Sequence, residues 1–133
     1  MKNLLRLEEL AQFLLCAFLL VQFHSWWWWF GLLLIGPDIS MLGYLIDSKW
    51  GSVLYNVIHH KALPLLILVI YGLLGPDINN HGNERMFENV FRACLVLFGH
   101  SSMDRALGFG LKYSDDFKHT HLGWIGKSRK SES

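Results

Sequence analysis

The sequence predicts an all-α protein, a four-helix transmembrane bundle with both termini in the cytoplasm. Three observations carry that expectation. Hydrophobic residues make up 52% of the 133 residues and charged residues 17%, too apolar a balance for an ordinary soluble domain of this length. Four stretches reach or approach the roughly 20 apolar helical residues that a bilayer core of about 30 Å requires. The basic residues follow the positive-inside rule.

The first expected span runs from Leu4 to Phe23 and is unbroken after Glu9. It is not a cleavable signal peptide, because Glu8 and Glu9 interrupt it and no small-residue cleavage site follows. The second starts at the consecutive tryptophans Trp26 to Trp29, which suit a membrane interface belt, and continues to Ile46. Asp47-Ser48-Lys49 makes a short inner turn. The third covers Trp50 to Leu74 and stops at Gly75-Pro76, where proline cannot continue a helix and glycine can cap one. Asn79 to Asn83 forms a polar outer loop, and the fourth span runs from Met86 to Leu107. A single domain is expected over residues 1–123, followed by a polar tail over 124–133 read as disordered.

With the N-terminus inside, Lys2, Arg6, Lys49, Lys112, Lys118, Lys127, Arg129 and Lys130 are all cytoplasmic. The first outer loop, around His24 and Ser25, then has no Lys or Arg. In the second outer loop Arg85 stands beside Asp77 and Glu84. Membrane lipids are therefore the expected surroundings, and a net charge of +1 gives no reason to expect nucleic acid. Cys16 and Cys94 lie in apolar runs and read as packing residues, not as a disulfide framework.

Only the first span is a clean hydropathy signal. The others carry Asp38, His59, His60, Lys61, Arg92, His100 and Asp104, and ionisable residues inside a membrane mark functional sites by default. Their depths agree. Asp38 precedes Asp47 by nine residues and His59 follows Trp50 by nine, which places both about 13 Å from the inner helix ends. His100 and Asp104 are four apart, hence on one face of the fourth span, and Glu8 and Glu9 enter the first span from the same side.

Two histidines and several carboxylates at one depth suit a divalent metal. Zinc is expected first, with iron or manganese as alternatives, and no positioned cysteine suggests a thiolate site. The expected ligands are Asp38, His59, His100 and Asp104, with His121 folding back to complete or cap the site. A proton path and a structural polar network are the competing uses of the same residues. His24, His81 and His119 read as surface residues, and Arg92 as snorkelling or pairing with Glu88. Arg105 and Lys112, at the inner interface, either orient an anionic substrate group or anchor lipid headgroups.

Four blocks carry a family resemblance. They are Gly36 to Tyr44 (GPDISMLGY), Tyr55-Asn56 with His59, His100 to Tyr113 (HSSMDRALGFGLKY), and Phe117 with Thr120 to Gly123. Together they resemble a family of small bacterial membrane proteins, domain of unknown function forty-two-sixty, from Leu5 to Gly123. The resemblance implies a multi-pass protein of the bacterial inner membrane. It picks out Asp38, Asn56, His59, His100, Asp104, Arg105 and His121 as motif positions. Tyr44 and Asn56, within those blocks, join Lys112 as candidate substrate contacts. More loosely, Asp and His scattered on short membrane helices are similar to membrane-bound metal-dependent hydrolases.

The enzyme reading is a metal-dependent hydrolase acting on a lipid or other lipophilic molecule near the cytoplasmic leaflet. Glu9 or Glu8 is its candidate general base, and Arg105 is placed in the same machinery. Iron in the same ligand set would suit oxidoreductase chemistry instead. The other class of reading is a metal or proton transporter or binding protein. It would work as a homo-oligomer, since four short helices enclose little, and it is opposed by the apolar outer halves Trp26 to Leu34 and Leu65 to Ile70. A structural subunit of a membrane partner is the third.

Overall fold

The computed structural model is described over residues 1–77 and 79–126; the expected tail from Lys127 onward lies outside the described residues. Helix α1 spans Lys2–Gln22, and α2 spans Trp27–Ile35 and runs into a 3-10 segment, Gly36–Leu45. Asp47 caps α3, Ser48–His59, by accepting the Trp50 N–H at 2.7 Å. Helices α4, Ala62–Leu74, and α5, Glu84–Leu107, follow. After α5 comes a small antiparallel hairpin, β1 His119–Thr120 and β2 Gly123–Trp124, with Lys112 bridging to Thr120. The hairpin crosses the expected domain boundary at residue 123. Among the described residues the protein is all-α apart from it.

One of the four expected spans is broken and another changes its helix type part-way, and a proline lies at each place. Proline removes the bond to the carbonyl four residues back, and its ring crowds that carbonyl. Pro64 acts in this way on His60, so the expected third span breaks at His60-Lys61 into α3 and α4, bent by 54°. Pro37 acts on Leu33, and α2 tightens into the 3-10 segment at Gly36. Among the described residues, Trp27–Leu45 alone is by itself long and apolar enough to cross a bilayer, and α3 and α4 qualify only as a bent pair. The expected first span, α1, does not qualify, which corrects its reading as the one clean hydropathy signal.

Helix α5 is the centre of the packing. It lies chiefly against α1, with α2, α4 and α3 also touching it, while the 3-10 segment packs on α3. The apolar core (Cys16, Leu20, Trp29, Leu33, Leu95 and Val96) joins α1, α2 and α5. Gly99 permits that approach, since a Cβ there would lie 2.7 Å from Leu33 Cδ1 and 2.8 Å from Cys16 Cβ. Cys16 and Cys94 are free and buried, in keeping with a packing role.

The polarity is inverted relative to a water-soluble bundle. Leu4, Leu7, Leu14, Phe18 and Val21 of α1 are exposed, as are Leu65, Leu66, Val69, Ile70 and Leu73 of α4. Buried positions include Ser52, His59, His100, Ser101, Ser102 and Asp104. Soluble monomers rarely expose apolar area on this scale.

Candidate metal centre

Three elements converge on one point. Helix α5 brings His100 and Asp104 on one face, α3 ends on His59, and the 3-10 segment supplies Asp38. One ligand atom from each lies within 4.8 Å of all the others. His100 Nε2 is 3.2 Å from Asp38 Oδ1 and 3.7 Å from Asp104 Oδ1. His59 Nε2 is 3.6 Å from Asp38 Oδ1 and 3.4 Å from Asp104 Oδ2.

The backbone sets which nitrogen each ring offers. His59 Nδ1 is 2.9 Å from the Tyr55 carbonyl and His100 Nδ1 is 2.9 Å from the Leu33 carbonyl. A carbonyl only accepts, so each Nδ1 carries a proton and a neutral ring turns its Nε2 lone pair inward. The Leu33 carbonyl is open to His100 because Pro37, four residues on, has no N–H to give it. Tyr55 stacks on His59 at 3.8 Å between ring centroids and donates its hydroxyl to Asp104 Oδ2 at 2.7 Å. Histidines pinned through Nδ1 and a hydrogen-bonded carboxylate are the outer-shell pattern that orients metal ligands.

His100 is fully buried and His59 nearly so, whereas the Asp38 side chain is 38% exposed. Asp38 and Asp104 open onto a cavity of about 220 Å³ that Tyr55, Lys112, Phe109 and Phe117 help to line. Lys112 is 4% exposed. Its ammonium donates to the Phe117 carbonyl at 2.9 Å and lies 3.6 Å from the Phe117 ring centroid and 4.8 Å from that of Tyr55. Burial pushes the Lys112 pKa below the ordinary lysine value, while Asp104 and Asp38 pull it the other way.

The other expected site residues lie elsewhere. His121 is outside the four-residue group: its Nδ1 accepts the Leu111 N–H at 2.8 Å. Glu9 is the inward carboxylate of its pair, but it accepts from Lys61 Nζ and stands 3.9 Å from Arg105 Nη1. Glu8 is exposed and accepts from Gln12 at 3.5 Å. Asn56 pairs both ways with the Lys112 backbone, at 2.8 and 2.7 Å, which clamps α3 to the segment after α5. Tyr44 meets Phe117 edge-on at 5.1 Å, and its buried hydroxyl has no partner among the described residues.

Sequence reasoning assigned no role to Tyr55 and gave Lys61 no partner. Tyr55 was findable, because it precedes His59 by four residues and shares its face. The pairing of Lys61 with Glu9 joins distant segments, and no local spacing announces it. Of the expected surface histidines, His24 and His81 are exposed, the latter 3.1 Å from Glu84, whereas His119 is half-buried against Tyr113 and Trp124. Arg92 pairs with Glu88 at 3.0 Å. Over residues 2–125 the chain matches the family described as domain of unknown function (DUF4260). No curated protein and no solved structure matches the chain.

Proposed function

The chain belongs to the DUF4260 family, whose function is unknown, and we propose from its site that it is a membrane-embedded metal-dependent hydrolase. One observation carries the proposal: two imidazole lone pairs and two carboxylates face a common point, and buried His59 Nε2 has no hydrogen-bond partner among the described residues. Such mutually facing acceptors are costly in a buried place. A divalent cation resolves the conflict, and an all His/carboxylate donor set suits zinc first, then iron or manganese. Asp38, His59, His100 and Asp104 would hold it.

Bound there, a metal ion supplies a water of lowered pKa and a Lewis acid. The chain's own groups do the rest. Asp38, the only partly exposed member of the four, can take a proton at the cavity edge. Glu9 is committed to Lys61 and is not used as the base. Lys112, on the cavity wall, can hold negative charge on an ester or phosphoester oxygen. Phe109, Phe117, Met41 and Ile125 offer apolar contact to the remainder of a lipophilic substrate.

The apolar exterior and the distribution of basic residues support several bilayer crossings in the bacterial inner membrane, with cytoplasmic termini. The cavity then opens toward the cytoplasmic leaflet. Transport is less well supported, because the core of Leu20, Leu33, Leu95 and Val96 lies outward of His100 and offers no polar step.

The test is the metal content of detergent-purified protein, by elemental mass spectrometry, for wild type and a His100→Ala/Asp104→Ala variant. About one zinc, iron or manganese per chain, absent from the variant, is expected. No metal in wild type, after chelator-free purification and attempted reloading, overturns the metal centre. Loaded wild type should also cleave p-nitrophenyl acyl or phosphoryl esters in micelles. Inertness toward both would remove the hydrolase and leave the metal.

A further inference from the structure

A second cavity, of about 280 Å³, lies on a different face of α5, where the first turns of α1 meet the end of α5. Asp104 faces the histidines, and its neighbour Arg105 lines this cavity instead. Lys2 and Arg6 from α1 and His121 from the hairpin join it, with Glu9 as the one carboxylate. Glu9 does little to cancel the cations, because Lys61 already donates to it. Arg105 approaches Glu9 no closer than 3.9 Å, beyond hydrogen-bond range. Among the described residues, Lys2 and Arg6 have no ion-pair partner. Glu8, the nearby second carboxylate, is exposed and bonded to Gln12.

The shape of the cavity fits these charges. Gly108 is left-handed at φ +93, and an added Cβ there would stand 3.1 Å from Arg6 Nη2, so the missing side chain leaves room for the guanidinium. The N–H groups of Gly108 and Phe109 satisfy the Asp104 and Arg105 carbonyls, so the end of α5 presents fewer free acceptors to an anion. His121 Nδ1 accepts from Leu111, which leaves the ring proton on Nε2 as a donor. Leu5 and Leu122 complete the wall with apolar surface.

Two guanidinium forks and an ammonium around a small cleft match phosphate oxygens, which arginine binds in pairs. We infer that this cleft binds a phosphate-bearing anion, presented by the headgroup of an anionic phospholipid. The apolar rim, and the exposed Leu4 and Leu7 on the same end of α1, suit an acyl-bearing ligand over a bare ion. The site stands apart from the metal centre and does not depend on it.

Native mass spectrometry of the full chain in detergent tests it, with phosphatidylglycerol and diacylglycerol of the same acyl chains as probes. Wild type should retain phosphatidylglycerol at least tenfold over diacylglycerol, and Arg6→Gln/Arg105→Gln should lose that preference. Millimolar inorganic phosphate that leaves the adduct in place assigns the site to lipid; displacement assigns it to soluble phosphate, with the same recognition chemistry. Equal retention of both lipids, or a preference unchanged in the variant, overturns the inference. Should Arg105→Gln disturb folding through Glu9, Arg6→Gln alone, at an exposed position, is expected to cost several-fold. Metal content should be unchanged in Arg6→Gln, so this inference and the metal centre fail separately.

Discussion

Two polar centres lie near the same end of α5, and they are built on opposite principles. Glu9, Lys61 and Gln12 form a matched set, in which one ammonium donates to a carboxylate and an amide oxygen, and Ser102 donates to Gln12 at 3.3 Å. Asp38, His59, His100 and Asp104 form an unmatched set, in which lone pairs face lone pairs. The first is complete as it stands and ties α1 to α4 and α5. The second is complete only with a cation or additional protons. Donor count, more than the number of buried charges, separates a helix clamp from a binding site.

The largest expected effect breaks the matched centre. Removing one partner of this half-buried pair strands the other charge, at a cost of about 3 kcal/mol, the low end of the range for fully buried pairs. Glu9→Ala and Lys61→Ala should each destabilise by that order in detergent denaturation. Glu9→Gln/Lys61→Met, which removes both charges, should be much milder than either. Metal content should survive in the double variant. Single variants as mild as the double would show that the pair is not a clamp, and metal loss in the double would merge the two centres into one.

A smaller effect sharpens the unmatched centre. Tyr55→Phe keeps the ring on His59 and deletes the hydroxyl that donates to Asp104 Oδ2 at 2.7 Å. Loss of an outer-shell partner lowers metal affinity about 10–100-fold. Competition against a chelator of known affinity reads this directly, with circular dichroism to show that the helices persist. Unchanged affinity would remove Asp104 from the ligand set.

The contrast between the two centres also explains what the sequence could and could not disclose. The four cluster residues were legible because helical rise converts spacing into depth: Asp38 and His59 each stand nine residues from an inner turn, and His100 and Asp104 share a face. The interruptions were legible in principle, since Pro37 and Pro64 stand inside two of the expected spans. Overall hydropathy masked them, because a broken segment is as apolar as a straight one. Arg105, adjacent to Asp104, lines a different cavity because neighbouring helical residues point about 100° apart, so of its two expected roles the geometry favours the headgroup contact. His121 was misplaced for a different reason: the hairpin that fixes it rests on a two-residue ladder with no sequence period. Lys61 found Glu9 through the α3–α4 bend, a tertiary consequence of Pro64.

The smallest effect tests whether a backbone vacancy helps to set the His100 tautomer. Pro37→Ala restores an N–H that can reach the Leu33 carbonyl, the acceptor of His100 Nδ1 at 2.9 Å. A carbonyl has two lone pairs, so the new donor weakens the histidine's bond without abolishing it. Metal affinity should therefore fall by less than about tenfold, below the Tyr55→Phe effect, while thermal stability is held or raised as α2 extends past Gly36. A fall as large as that of Tyr55→Phe would mean that Pro37 acts by holding Asp38 in the 3-10 segment. No fall at all would mean that Leu33 serves both donors and that the proline is there for the bend alone.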